Sequence, residues 1–244
     1  MTDLIYEQPL NEKIRSYLRI ENLALQLQQH AEQDNQHQCF SPLFALAELT
    51  ERCDYRTDIL KDIEKQIQII SHWRTHSNVD NAQVDQLIQK LISLKSPLQA
   101  QERIGCSLKQ DKFISALRQR FNMTGAYCNF DFPQLHFWLG KDWQHRQQDI
   151  KSWLIQYQPI LAPIALLLEL IRTTADFGLY QAPVGFYQGN SVQPLSLIRV
   201  QINSNQNCYP TVSGNRNRYA IHFVDFDLHR HTSETVEFSL ATCT

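Results

Sequence analysis

Two groups of cationic side chains have the spacing to act together. Arg15 and Arg19 lie four residues apart, in a segment where Leu10, Ile14, Tyr17 and Leu18 recur at helical spacing. A like-charge pair at that spacing costs a few tenths of a kcal/mol. Either an anion lies between the two guanidinium groups, or Glu12, three residues before Arg15, neutralises it. The second group is Arg216, Arg218 and His222. Residues two apart on a strand share a face. Arg218 and His222 therefore belong together, Arg216 joins them if the strand begins early, and Arg199 falls on another strand. Such a face is either the solvated side of a half-exposed sheet or a platform that takes carboxylates through charge-assisted, often bidentate, hydrogen bonds.

Other chemistry lacks its residues. Neither a phosphate loop nor a G-x-S-x-G nucleophile elbow occurs. His229 and His231 stand close together without spaced partner cysteines, a weak metal signal. His136 has no acid at a matching spacing, so it reads as a packing or surface residue and not as a base. Asp131 and Asp142 are too isolated to form a carboxylate pair. No catalytic residue, cofactor or metal ligand is expected. The net charge of −2 argues against general electrostatic binding of nucleic acid, whose footprint is a basic excess. The first residues lack the basic and apolar regions of a secretory signal. The longest uncharged stretch, 152–168, contains Gln156, Gln158, Pro159 and Pro163. It falls short of the roughly 20 apolar residues of a membrane span and reads as buried helix. Six cysteines without a C-x-x-C pair read as reduced thiols of a cytoplasmic protein, with Cys39 and Cys53 as small core residues.

The elements that position these groups follow from periodicity. With 20% charged and 43% hydrophobic residues, 244 residues suit one large domain or a medium plus a small one. The pattern predicts helices over 11–29, 41–52, 57–76, a segment capped by Asp80, one capped by Asp111, 146–157 and 160–174. Ser41-Pro42 supplies a cap and a first-turn proline, and Ser96-Pro97 a stop. Ile59, Ile63, Ile67 and Ile70 form one inward stripe, and Val84, Leu87, Ile88, Leu91 and Ile92 another. After Gly178 the period changes to two over 195–202, 219–226 and 235–240, with a short strand near 209–212. The fold class is α+β: an α-helical domain over 1–178, then a small antiparallel β domain over 179–244. A strand near 126–131 could join that sheet.

The segment from Tyr6 to Glu21 resembles the start of the ZapD family, FtsZ-associated bacterial cell division proteins. Arg103-Ile104-Gly105, Arg118-Gln119-Arg120, and Phe130-Asp131 with Pro133, Leu135, His136 and Trp138 are similar to its middle block. Gly185-Phe186-Tyr187-Gln188, Tyr209-Pro210, Ser213-Gly214, Arg218 and Ala220-Ile221 are similar to its C-terminal block. The resemblance spans nearly the whole chain, leaving out 33–38, the loop near Ser77 and 192–194. It implies a non-enzymatic homodimer, cytoplasmic and at the mid-cell division site, that binds the C-terminal tail of FtsZ and bundles its filaments. It also implies that Arg19, Lys112, His136, Arg218 and His222 line the tail site. Arginine is expected to be commoner in the family at Lys112 and His222, so a weaker or more pH-sensitive site is expected here. The competing reading is a ligand-binding or enzymatic α+β protein with an interdomain pocket.

Overall fold

The computed structural model describes residues 3–74, 80–99, 104–123 and 128–244. Arg103, His76 and positions 126–127 of the expected joining strand lie outside the described residues. The chain groups into two compact units, one formed by 1–19 with 168–244 and the other by 20–167. The class is α+β, as expected, with one strand before the helices and the other strands of the antiparallel sheets after them.

The helices are α1 (Glu12–Glu32), α2 (Phe40–Arg52), α3 (Arg56–Trp73), α4 (Asn81–Ser93), α5 (Lys95–Leu98), α6 (Cys106–Gln110), α7 (Lys112–Arg120), α8 (Pro133–Leu139), α9 (Trp143–Ile155) and α10 (Gln158–Arg172). The unit boundaries fall inside α1 and α10. Asp80 caps α4 by accepting from the Ala82 and Gln83 amides, and Asp111 caps α7 by accepting from Phe113 and Ile114. Asn11 accepts from the Ile14 amide at the start of α1. The expected cap at Ser41 differs: α2 already starts at Phe40, so Ser41-Pro42 lie within its first turn. The centre of the helical unit is aromatic. Phe40 lies 5.1 Å from Trp138 and 5.6 Å from Trp153, ring to ring, and each of these side chains is buried.

Three expectations for this unit are corrected. Cys53 is exposed where α2 ends, whereas Cys39 is buried. Ile92 is 45% exposed, because it falls one step past the buried stripe of Val84, Ile88 and Leu91. Cys128 to Asp131 form a bend and turns leading into α8, not a strand.

Two ion pairs tie the unit together. Arg146, only 8% exposed, donates to Asp34 at 2.5 and 2.8 Å. Arg118 donates to both oxygens of Glu51 at 2.5 and 3.1 Å.

The strands are β1 (Asp3–Pro9), β2 (Gly178–Ala182), β3 (Phe186–Asn190), β4 (Leu197–Asn203), β5 (Cys208–Gly214), β6 (Arg218–Asp225) and β7 (Val236–Cys243). They form two antiparallel sheets, in the orders β1-β4-β7-β2 and β3-β6-β5. Both sheets contribute to one apolar core. Ile198, Val200 and Ile202 of β4 and Phe238 and Leu240 of β7 pack with Tyr219, Ile221 and Phe223 of β6. Strand β1 brings the start of the chain to β4, pairing Asp3 with Asn203 through Pro9 with Leu197.

That pairing places Glu7 opposite Arg199. Arg199 Nε donates to Glu7 at 3.0 Å, and Arg172, the last residue of α10, donates to the same carboxylate at 2.7 and 2.8 Å. The three side chains are 17–24% exposed, and the Arg199 guanidinium also lies 5.0 Å from the Phe177 ring centroid.

Glu7→Gln leaves two half-buried guanidinium groups sharing a neutral acceptor. It should destabilise the protein by about 2–3 kcal/mol in urea unfolding, between the values for exposed and buried pairs. A loss below about 0.5 kcal/mol would show that the cluster is not a fastening. A second expectation concerns acid. Hydrogen bonding from Arg118 holds the Glu51 carboxyl below its ordinary value of 4.5, against the burial that raises it. A depressed carboxyl adds stability that is present above its unfolded value and is lost as pH falls through the folded one. Glu51→Gln should therefore cost about 1 kcal/mol at pH 7, a small figure because both partners are partly solvated. That difference should shrink as pH falls below the ordinary carboxyl value of 4.5 and through the lowered folded value. A difference that persists unchanged into acid would mean that the pair contributes through packing alone.

Candidate functional site

Strand β6 builds the most distinctive surface of the β unit. Tyr219, Ile221 and Phe223 point into the core, so Arg218, Ala220 and His222 point out. The expected shared face of Arg218 and His222 is observed. Arg218 is exposed, and its guanidinium has no ion-pair partner among the described residues. It lines a depression of about 400 Å³ together with Gln188, Gly189 and Asn190 of β3. A second depression, of about 430 Å³, is lined by Asn215, Arg216, Asn217 and Arg218. Arg216 thus lies in the β5–β6 turn beside Arg218 and not on the strand, which begins at Arg218.

The other end of the face is aromatic. The His222 ring lies 4.8 Å from Phe186 and 4.7 Å from His231, centroid to centroid. Phe186 is opposite His222 in the β3–β6 register, and His231 reaches it through a bridge to Val224. The His229/His231 pair that looked like a weak metal signal is therefore split, with His231 turned onto His222. No group of three potential metal ligands occurs among the described residues.

The remaining sequence-predicted residues lie elsewhere. Arg19 is exposed on α1, with no ion-pair partner among the described residues. Arg15, four residues before it, is held by Glu12 at 3.1 Å, so the intrahelical neutralisation occurs. Arg199 does not belong to the cationic face: it is half-buried in the other sheet and consumed by Glu7. Lys112 and His136 belong to the helical unit and are exposed at the first turn of α7 and in α8. Their chain neighbours Asp111, Phe113, Gln134 and Phe137 line a cavity of about 570 Å³, which also includes Trp138, Asp149 and Trp153. Sequence reasoning missed this aromatic cavity, and it missed β3 as the partner of Arg218. Exposed Phe137 next to His136 was the available signal for the first, and Phe186-Tyr187-Gln188 for the second.

The fold and this face define an α+β protein with an outward cationic strand and, among the described residues, no metal-binding cluster. The comparisons add the family. Residues 18–222 match the family model of ZapD, a cell division protein. Two curated relatives bear the name cell division protein ZapD. One from Shewanella sp. (strain MR-4) is 57% identical over 243 residues, covering 100% of both chains. One from Vibrio parahaemolyticus is 36% identical over 246 residues, again covering 100% of both. The chain belongs to the ZapD family of cell division proteins. These names are of a division protein and not of an enzyme. No single helix among the described residues is long and apolar enough to cross a membrane.

Arg218→Glu reverses the outward charge without touching the core. It should leave the melting temperature within about 2 °C, as expected for an exposed substitution. It should also weaken binding of an acidic peptide at least tenfold. An unchanged affinity would remove Arg218 from the site.

Proposed function

We propose that this protein binds the C-terminal tail of FtsZ and, as a homodimer, crosslinks and bundles FtsZ filaments at the mid-cell division site in the cytoplasm. The observation that carries this reading is the outward face of β6, where Arg218, with no ion-pair partner among the described residues, stands at one end and the His222 and Phe186 rings at the other. Such an arginine takes a carboxylate in bidentate geometry, and the rings at the far end of the face take an apolar side chain of an extended segment. Membership of a family named for cell division supplies the context. Arg19, Arg218 and His222 are the proposed tail contacts of the β unit, with Lys112 and His136 as further contacts borne by the helical unit.

A single tail should bind weakly, with a dissociation constant of about micromolar to tens of micromolar. Two sites on one dimer engaging a polymer with many tails raise the apparent affinity by roughly 10² to 10⁴ without new contacts. A monomer decorates filaments, whereas a dimer bundles them. Positive charge facing an acidic tail also makes binding weaken with salt, because exposed pairs are screened over about 10 Å at 0.1 M.

Co-sedimentation with polymerised FtsZ, paired with light scattering of the free protein, tests the reading. The expected results are pelleting that requires the FtsZ tail and a solution mass near twice 28.6 kDa. Pelleting that is equal with tailless FtsZ, or a monomer at micromolar concentration, would contradict it.

A further inference from the structure

Strand β3 is the outer strand of its sheet, in the order β3-β6-β5, so one side of its backbone pairs with no other strand among the described residues. The register decides which groups face that way. Phe186 lies opposite His222 and Asn190 opposite Arg218, and the same register continues to Ser191, whose N–H donates to the Asn217 carbonyl at 2.9 Å. Hydrogen-bonded and non-hydrogen-bonded pairs alternate along an antiparallel ladder. Tyr187 and Gly189 therefore spend their backbone groups on β6, while Phe186, Gln188 and Asn190 aim theirs away from it. The Phe186 N–H is taken by the Pro183 carbonyl. The Gln188 and Asn190 amides have no backbone partner among the described residues, and both residues are exposed.

The side chains beside this edge carry one sign of charge. Alternation places Phe186, Gln188 and Asn190 of β3, Arg218, Ala220 and His222 of β6, and Tyr209, Thr211 and Ser213 of β5 on the outer face. No carboxylate stands among them. Arg218 is opposite Asn190, in the pair class whose side chains come closest, and the depression shared by Gln188, Gly189, Asn190 and Arg218 lies along the edge itself. A strand added to β3 would lie about 10 Å from β6, two strand spacings. An arginine and a glutamate side chain together span that gap.

The geometry points to β3 as a docking edge that takes an extended, acidic peptide segment of about five residues as a fourth strand, with an acidic side chain of the segment meeting Arg218. Main-chain hydrogen bonds to Gln188 and Asn190 supply affinity, and the cation selects for acidity. This rests on the tail-binding reading above and specifies how the tail is held.

Proline discriminates the edge from the face. Gln188→Pro removes one outward N–H and leaves the β6 ladder intact, which an edge strand tolerates. Binding of a synthetic FtsZ tail peptide should fall at least tenfold in Gln188→Pro and change less than threefold in Gln188→Ala. Amide exchange on the wild-type protein gives a second readout that does not depend on the variant folding. Saturating peptide should slow exchange at Gln188 and Asn190 at least tenfold, and leave Tyr187 and Gly189 unchanged. Wild-type affinity in a folded Gln188→Pro, or unaltered exchange at Gln188 and Asn190 under saturation, overturns the docking edge. If Arg218→Glu still abolishes binding in that case, the tail-binding face stands without it. A Gln188→Pro protein that turns from dimer to monomer would assign the edge to a second copy of this chain, also overturning the proposal. A peptide that fails to bind the wild type sinks both readings.

Discussion

The alternation of side chains along β6 is the constraint that sets the outward cationic surface. Tyr219, Ile221 and Phe223 are needed between the two sheets, where they meet Phe238 and the inner residues of β4. A strand that buries its odd positions must present its even ones. Arg218 and His222 are therefore outward as a consequence of the core, and a shift of one residue would bury a guanidinium at the cost of several kcal/mol. The close approach of Gly189 to Tyr219 reinforces this register. A Cβ there would meet the Tyr219 hydroxyl at 2.3 Å, so only glycine lets β3 lie over that ring.

Charge is apportioned differently in the two sheets. Arg199 and Arg172 are committed to Glu7, and through it they fasten β1 and the end of α10 to β4. In the helical unit Arg118 and Arg146 are likewise committed, to Glu51 and Asp34. Such pairs are structural: each cation already has its carboxylate, so it has little to offer a partner. Arg218 is the contrast. It stands on a face whose neighbours are Gln188, Asn190, Thr211 and Ser213, none of which can neutralise it. With a net charge of only −2, the whole molecule exerts no strong field, so the proposed recognition of an acidic segment rests on this local arrangement.

The parts of the fold that were legible in sequence are those with a local signal. Asp80 and Asp111 precede helical stripes and do cap α4 and α7. The strands β4, β6 and β7 show period two because one face of each is buried. Strand β1 was not legible. Leu4 and Ile5 are 44% and 48% exposed at a sheet edge, so its residues carry no alternation, and its partner lies at the far end of the chain. Strands β2 and β3 have five residues each, too few to establish a period around Pro183 and Gly185. The shared face of Arg218 and His222 followed from spacing alone. That Arg199 is spent on Glu7 could not be read, since the ion pair exists only once β1 has joined the sheet.

In the proposed mode of binding, the Arg218 guanidinium receives a carboxylate of the FtsZ tail. A crystal structure of the protein with the tail peptide tests it most directly. A tail carboxylate is expected about 2.7–2.9 Å from the Arg218 guanidinium, the range of a charge-assisted hydrogen bond. A tail bound elsewhere, with Arg218 left in solvent, would contradict it.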